Sequence, residues 1–106
     1  MDFDQREVKF GLVKKGEKRT HTYRFTNRGD TNLIIENISA CDCTTLKYEE
    51  GKAYPPGASG EIAIVFDSSE KEEAEEILID IILVNTEPGT DIPIFEQLIY
   101  TFDIEQ

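Results

Sequence analysis

The chain has 106 residues, with 22 acidic against 11 basic side chains, a net charge of −11 and a pI of about 4.4. That length has room for one hydrophobic core, so a single domain over residues 1–106 is expected. A surface this acidic repels phosphates and anionic headgroups, which excludes nucleic acid as a partner and disfavours membrane adsorption. No apolar run approaches the roughly 20 residues of a membrane-spanning helix, so no membrane insertion is expected.

The N-terminus, Met1-Asp2-Phe3-Asp4, lacks a charged n-region and an apolar h-region, so no signal peptide is expected in this chain. A cytoplasmic protein and a segment of a larger exported one both fit. The first alternating run is Val8, Phe10 and Leu12, which predicts a strand over 7–13. Lys14-Lys15-Gly16-Glu17 is a polar turn. His21 to Asn27 alternates again, with Tyr23 and Phe25 on the inward face and Thr22, Arg24 and Thr26 outward. Arg28-Gly29-Asp30-Thr31 closes that strand.

Leu33 to Ser39 is the next strand. Ile38 is out of phase with Leu33 and Ile35, and a bulge near Asn37 lets all three point inward. Cys41 to Thr45 leads out of it, and Leu46 to Glu49 is a candidate edge strand. Tyr54 to Gly60 holds two prolines and two glycines and cannot be a central strand. In Gly60 to Asp67, Ile62, Ile64 and Phe66 alternate inward, with Ala63 and Val65 outward. Ser68 to Glu76 reads as a solvated acidic loop with one helical turn, Ser69 serving as N-cap and Glu72 lying three residues on. Ile77 to Asn85 is apolar on both faces except at Asp80. Asn85 to Pro93 is a long turn, and Ile94 to Ile104 is the last strand, with Leu98, Tyr100, Phe102 and Ile104 as its inward set. About seven short strands with no amphipathic helix predict an all-β fold, an immunoglobulin-like antiparallel β-sandwich.

An ordered set of residues runs through these elements: Phe10-Gly11, Gly16, His21-x-Tyr23-x-Phe25-x-Asn27-x-Gly29, Leu33-x-Ile35, Cys41-x-Cys43-Thr44, Pro56-Gly57, Ile62-x-Ile64-x-Phe66 and Asn85. The set resembles the bacterial domain of unknown function 1573 family, which is related to the ASH/MSP/hydin group of immunoglobulin-like domains. The resemblance runs from Phe10 to Phe102. It implies a sandwich without enzymatic activity, often part of a periplasmic or cell-surface protein, and in related domains a protein-binding or scaffolding module. Asp42 stands where the family usually has glycine, and an acidic run replaces a turn glycine before the penultimate strand.

Cys41 and Cys43 flank one residue. In an extended strand such side chains share a face about 7 Å apart, too far for a relaxed disulfide. A kink brings them within reach. Free thiols, a local disulfide, metal binding and intermolecular pairing all stay open for them. Zinc needs about four ligands, and only His21 adds a nitrogen, so no metal or other cofactor is expected. The acidic loop lacks the alternating Asp/Asn and glycine of a calcium loop. His21 has no nucleophile motif near it in sequence, and no catalytic residue is assigned.

The most informative surface is Ile77 to Val84. With Ile77, Ile79, Ile81 and Leu83 inward, Leu78, Ile82 and Val84 face out, joined by Ile34, Val65 and Ile99 from neighbouring strands. An exposed apolar patch of this kind marks a partner: another protein, neighbouring domains of the same chain, or a second copy in a homo-oligomer. The function expected is a non-enzymatic protein-interaction or structural module within a larger surface or periplasmic protein. The alternative is a small redox- or metal-responsive protein acting through Cys41 and Cys43. A carbohydrate-binding module would need exposed aromatic platforms, for which only Tyr48 and Tyr54 are available, and it ranks last.

Overall fold

The computed structural model describes residues 1–105. Nine strands follow one another: β1 (Asp2–Phe3), β2 (Glu7–Lys14), β3 (Lys18–Thr26), β4 (Leu33–Ser39), β5 (Thr44–Lys47), β6 (Ala53–Tyr54), β7 (Ser59–Asp67), β8 (Glu75–Thr86) and β9 (Pro93–Glu105). They form two sheets, ordered β1-β3-β7-β5 and β2-β9-β8-β4-β6. The fold is the expected all-β, immunoglobulin-like sandwich. One pairing departs from the antiparallel expectation, because β2 runs parallel to β9. The chain pairs with β3 at Asp2 and Phe3, crosses to the other sheet, and continues as β2 along the outside of β9. Side-chain alternation is the same in parallel and antiparallel strands, so the sequence carries no signal of this.

The inner faces are set by that alternation. Tyr23, Phe25, Ile62, Ile64 and Phe66 come from the four-stranded sheet, and Ile35, Ile79, Ile81, Leu83, Leu98 and Tyr100 from the other, all fully buried. Each such side chain contributes on the order of 2 kcal/mol by leaving water. Two aromatic groups anchor the ends of this core. Phe66 meets Phe102 at 4.3 Å and Tyr100 at 5.3 Å between ring centroids, while Phe25 meets Tyr54 edge-on at 5.0 Å.

Bulges adjust the phase of two strands. In β4 the register passes from Ile35 opposite Leu83 to Asn37 opposite Ile82, so Leu33, Ile35 and Ile38 are all buried, as the sequence pattern requires. In β2 the register shifts between Lys9 and Leu12, at Gly11, whose φ of 73° suits glycine. This bulge corrects the sequence reading of β2: Val8 and Val13 are buried, and Leu12 is turned outward and 58% exposed.

The acidic run forms no helix. Ser69 is not an N-cap; its N–H and hydroxyl both donate to Asp67 Oδ1, at 3.0 and 2.6 Å. These bonds hold the Asp67 carboxyl below its usual range. Ser68 is buried and donates to the carbonyl of Glu17 at 2.6 Å, pinning the loop to the β2–β3 turn. Glu75 and Glu76, expected in the loop, begin β8.

Asn27 ties the loops at one end together. Its Nδ2 donates to the carbonyls of Thr31 and Tyr54, both at 2.8 Å, and its Oδ1 accepts from Gly29 N–H at 2.9 Å. Its backbone bonds Ala58 O and Gly57 N–H. Asn27→Ala is expected to cost about 2–3 kcal/mol in urea unfolding, since the Tyr54 carbonyl loses a buried partner. Gly60 lies against two rings: a Cβ there would sit 2.4 Å from Phe25 and 2.6 Å from Tyr54. Gly60→Ala is expected to destabilise by about 1–3 kcal/mol, and Phe25→Leu in the same chain to restore part of the loss.

Candidate functional site

The same alternation that buries Ile77, Ile79, Ile81 and Leu83 turns Leu78, Asp80, Ile82 and Val84 to the outer face of the five-stranded sheet. On β9 the outward partners are Ile99 opposite Leu78, Gln97 opposite Asp80 and Phe95 opposite Ile82. Leu78, Val84 and Phe95 are 43%, 52% and 55% exposed. Ile82, Ile99 and Ile34 are half-buried on the same face, the β4–β8 register setting Ile34 beside Val84. Two apolar cross-strand pairs therefore flank one polar pair, in which Gln97 Nε2 donates to Asp80 Oδ1 at 3.0 Å. The hairpin loop adds Ile92, 62% exposed.

Phe95 and Ile92 were absent from the sequence-based patch. Phe95 could have been found there, being in phase with Ile99 and out of phase with the inward set of β9. Val65, by contrast, does not join this face. It lies half-buried on the outside of the four-stranded sheet, between Thr20 and Thr45.

Several sheet edges are short or interrupted, whereas β3 is covered by β1 only at Phe25 and Thr26. β6 has two residues and β5 four. Beyond β6, the edge of β4 is occupied: Ile38 N–H donates to the Tyr48 hydroxyl at 3.2 Å, and Ile35 O accepts from Gly51 N–H. The β2 edge is longer but is broken by the Gly11 bulge. Such edges resist addition of a further strand.

At the other end of the molecule, Cys41 and Cys43 lie in a tight turn closed by Thr44 N–H donating to Cys41 O at 3.0 Å. The turn brings their Cα atoms to 5.2 Å, and the two sulfurs are joined as a disulfide. The extended-strand spacing does not apply because the chain has already left β4. Among the described residues no group of three or more His, Cys, Asp or Glu side chains converges as a metal site. In the acidic loop, Lys15 pairs with Glu72, and Lys71 with Glu75 at 3.1 Å.

His21 is half-buried, its ring edge-on to Tyr23 at 4.8 Å, and burial lowers its pKa. A concavity of about 620 Å³ between β5, β7 and the 49–54 loop is lined by Lys47 and by two ion pairs, Arg24 with Glu61 and Lys52 with Glu49, each at 3.2 Å. Tyr54 is buried, and Tyr48 is half-buried against the core with its hydroxyl engaged by β4.

The model of the DUF1573 family, described as a protein of unknown function, matches residues 1–96. The chain belongs to the DUF1573 family. No curated protein matches it by sequence. Among solved structures, a protein of unknown function from Porphyromonas gingivalis W83 superposes with a TM-score of 0.74 at 16% identity, over 96% of this chain and 46% of that one. The ASH/PapD-like domain 7 of human CEP192 gives 0.68 at 10% identity, covering 99% of this DUF1573 chain and 84% of that domain. SSP-19 of Caenorhabditis elegans, an MSP-domain-like protein, gives 0.66 at 8% identity, with both chains covered in full. At these identities the likeness concerns the fold. The chain spans less than half of the Porphyromonas gingivalis protein.

Two core tyrosines make this DUF1573 domain sensitive to alkali. Burial raises Tyr100 from the ordinary 10.0 to about 12, opposed by its hydrogen bond with Thr44, and burial likewise raises Tyr23. The folded chain therefore keeps protons that the unfolded chain gives up above pH 10.0. Stability is full below that pH and is lost as pH rises through about 12. Melting temperatures across this range should fall steeply, and Tyr23→Phe should flatten the decline.

Proposed function

We propose that this chain is a non-enzymatic interaction module that docks a protein partner, or a neighbouring domain of its own chain, on the outer face of β8, β9 and β4. Its setting is a larger periplasmic or cell-surface protein. The observation that carries this reading is the pair of apolar cross-strand contacts, Leu78 with Ile99 and Ile82 with Phe95, left open to solvent beside Val84. A sheet face that met only water would gain from polar residues there. The face recommends itself over the β2, β5 and β6 edges because those are short, bulged or capped by Tyr48, and over the open β3 edge because that edge carries no exposed large apolar side chain.

The charge distribution narrows the partner. Asp80 sits amid the apolar residues, Glu76 and Asp103 lie on the same face next to Leu78 and Leu12, and the lysines there, Lys9 and Lys14, stand at the β2 margin beside Glu7 and Glu105. A partner with apolar side chains and a basic rim matches this field. A second copy of this chain would set carboxylates against carboxylates, on a background of net charge −11.

A photo-crosslinking side chain at Phe95 tests this in cells that make the protein, with Ala63 on the opposite outer face as control. A discrete adduct with another protein or domain is expected from position 95 and not from 63. Ile82→Lys should abolish the adduct while changing unfolding free energy by less than about 1 kcal/mol. Equal labelling from both faces sinks the reading. A self-adduct alone would make the occupant a second copy, and unfolding of Ile82→Lys would place Ile82 in the core.

A further inference from the structure

The Cys41–Cys43 disulfide has features that the docking face does not use. It closes a loop with one intervening residue, restricting the unfolded chain by roughly half as much as a 15-residue loop would. Both cysteines are half-exposed, and they line a cleft of about 430 Å³ with Asp42, Asp67, Glu70 and Lys71. Exposed disulfides are the ones open to exchange.

Two hydroxyls from the body of the sandwich converge on this bond. Thr44 Oγ1 lies 3.3 Å from Cys41 Sγ and 3.6 Å from Cys43 Sγ, and 2.5 Å from the Tyr100 hydroxyl. The Tyr100 hydroxyl is itself 3.6 Å from Cys43 Sγ. If Thr44 donates to Tyr100, then Tyr100 donates to Cys43. If Tyr100 donates to Thr44, then Thr44 donates to either sulfur. Cys43 is thus within reach of a proton donor in both arrangements, and Cys41 only in the second, where the two sulfurs share the one Thr44 proton.

We infer that Cys41–Cys43 is a thiol–disulfide exchange site for small cationic thiols, in which Cys41 is attacked and Cys43 leaves. An incoming thiolate forms a bond to Cys41 Sγ as the Cys41–Cys43 bond breaks. The electron pair goes to Cys43 as a thiolate, which accepts from whichever of the two hydroxyls is not donating to the other. A second thiolate then attacks the outer sulfur of the mixed disulfide and releases Cys41 as a thiolate. The products are the reduced protein and the oxidised small-molecule disulfide, two electrons having passed from two thiols to the protein.

The preference for cations follows from the cleft. Its three carboxylates face Lys71, which already pairs with Glu75, and Lys18 acts on Asp67 from β3, so the carboxylates outnumber the ammonium groups. A positive thiol is drawn in and a negative one repelled.

The test reacts the intact folded protein with cysteamine, mercaptoethanol and mercaptoethanesulfonate, at matched thiolate concentration. Adducts are trapped by acid and mapped by mass. Rates are expected to fall in that order by roughly tenfold overall at low salt. The double variant Asp42→Asn/Glu70→Gln should level the order, while Glu87→Gln, remote from the cleft, should not. The adduct should map to Cys41. Thr44→Val/Tyr100→Phe should slow exchange roughly tenfold, the worth of a hydrogen bond to a developing charge. Thr44→Val alone keeps the Tyr100 donor and serves if the double variant does not fold; it should leave the adduct on Cys41. A bond inert to all three thiols overturns the proposal. So do an adduct on Cys43, or rates that ignore thiol charge.

Discussion

Phe66 of β7 packs on Tyr100 and Phe102 of β9 across the interior, and Ile62, Ile64 and Leu98 are buried in the same core. Strand side chains alternate, so this contact assigns every other residue of both strands to the outside. It also fixes the strands hydrogen-bonded to them. A one-residue slip in β8 would bring Asp80 into the core and expel four aliphatic side chains. The open apolar face is therefore not a packing fault. Its residues were available to be polar without cost to the interior, and Asp80 and Gln97 show that the position tolerates it.

The core is not wholly apolar, and its polar atoms are placed. Among the described residues no buried side-chain nitrogen or oxygen lacks a hydrogen-bond partner. Tyr100 belongs to two environments: its ring packs with Phe66 and Phe10, while its hydroxyl reaches the Cys41–Thr44 turn. The chemistry around the sulfurs is thus anchored in the hydrophobic layer and not in the loop alone. Asn27 does the same at the opposite end, where one amide holds two loops and the end of β3.

Much of this was legible in the residues. The inward sets of β3, β7, β8 and β9 followed from period-two patterns, and the β4 bulge from the phase of Ile38. The outward placement of Leu78, Ile82 and Val84 was readable for the same reason. What failed did so for identifiable causes. Gly11 permits a bulge without demanding one, so the reversal of Leu12 was invisible. Strand direction leaves no trace in alternation, which hid the β2–β9 pairing. Val65 is outward as predicted, but periodicity does not say which sheet an outward residue belongs to. The cysteines were judged by extended geometry, whereas the Thr44–Cys41 hydrogen bond makes that segment a turn.

The Tyr23 hydroxyl donates to the Ile99 carbonyl at 3.0 Å, from one layer to the backbone of the other. Ile99 is the residue whose side chain stands opposite Leu78 on the outside. The bond ties the strand that presents the open face to the opposite layer. A backbone anchored in this way has less conformational entropy to surrender if a partner docks on it, the cost that most often offsets a modest apolar footprint.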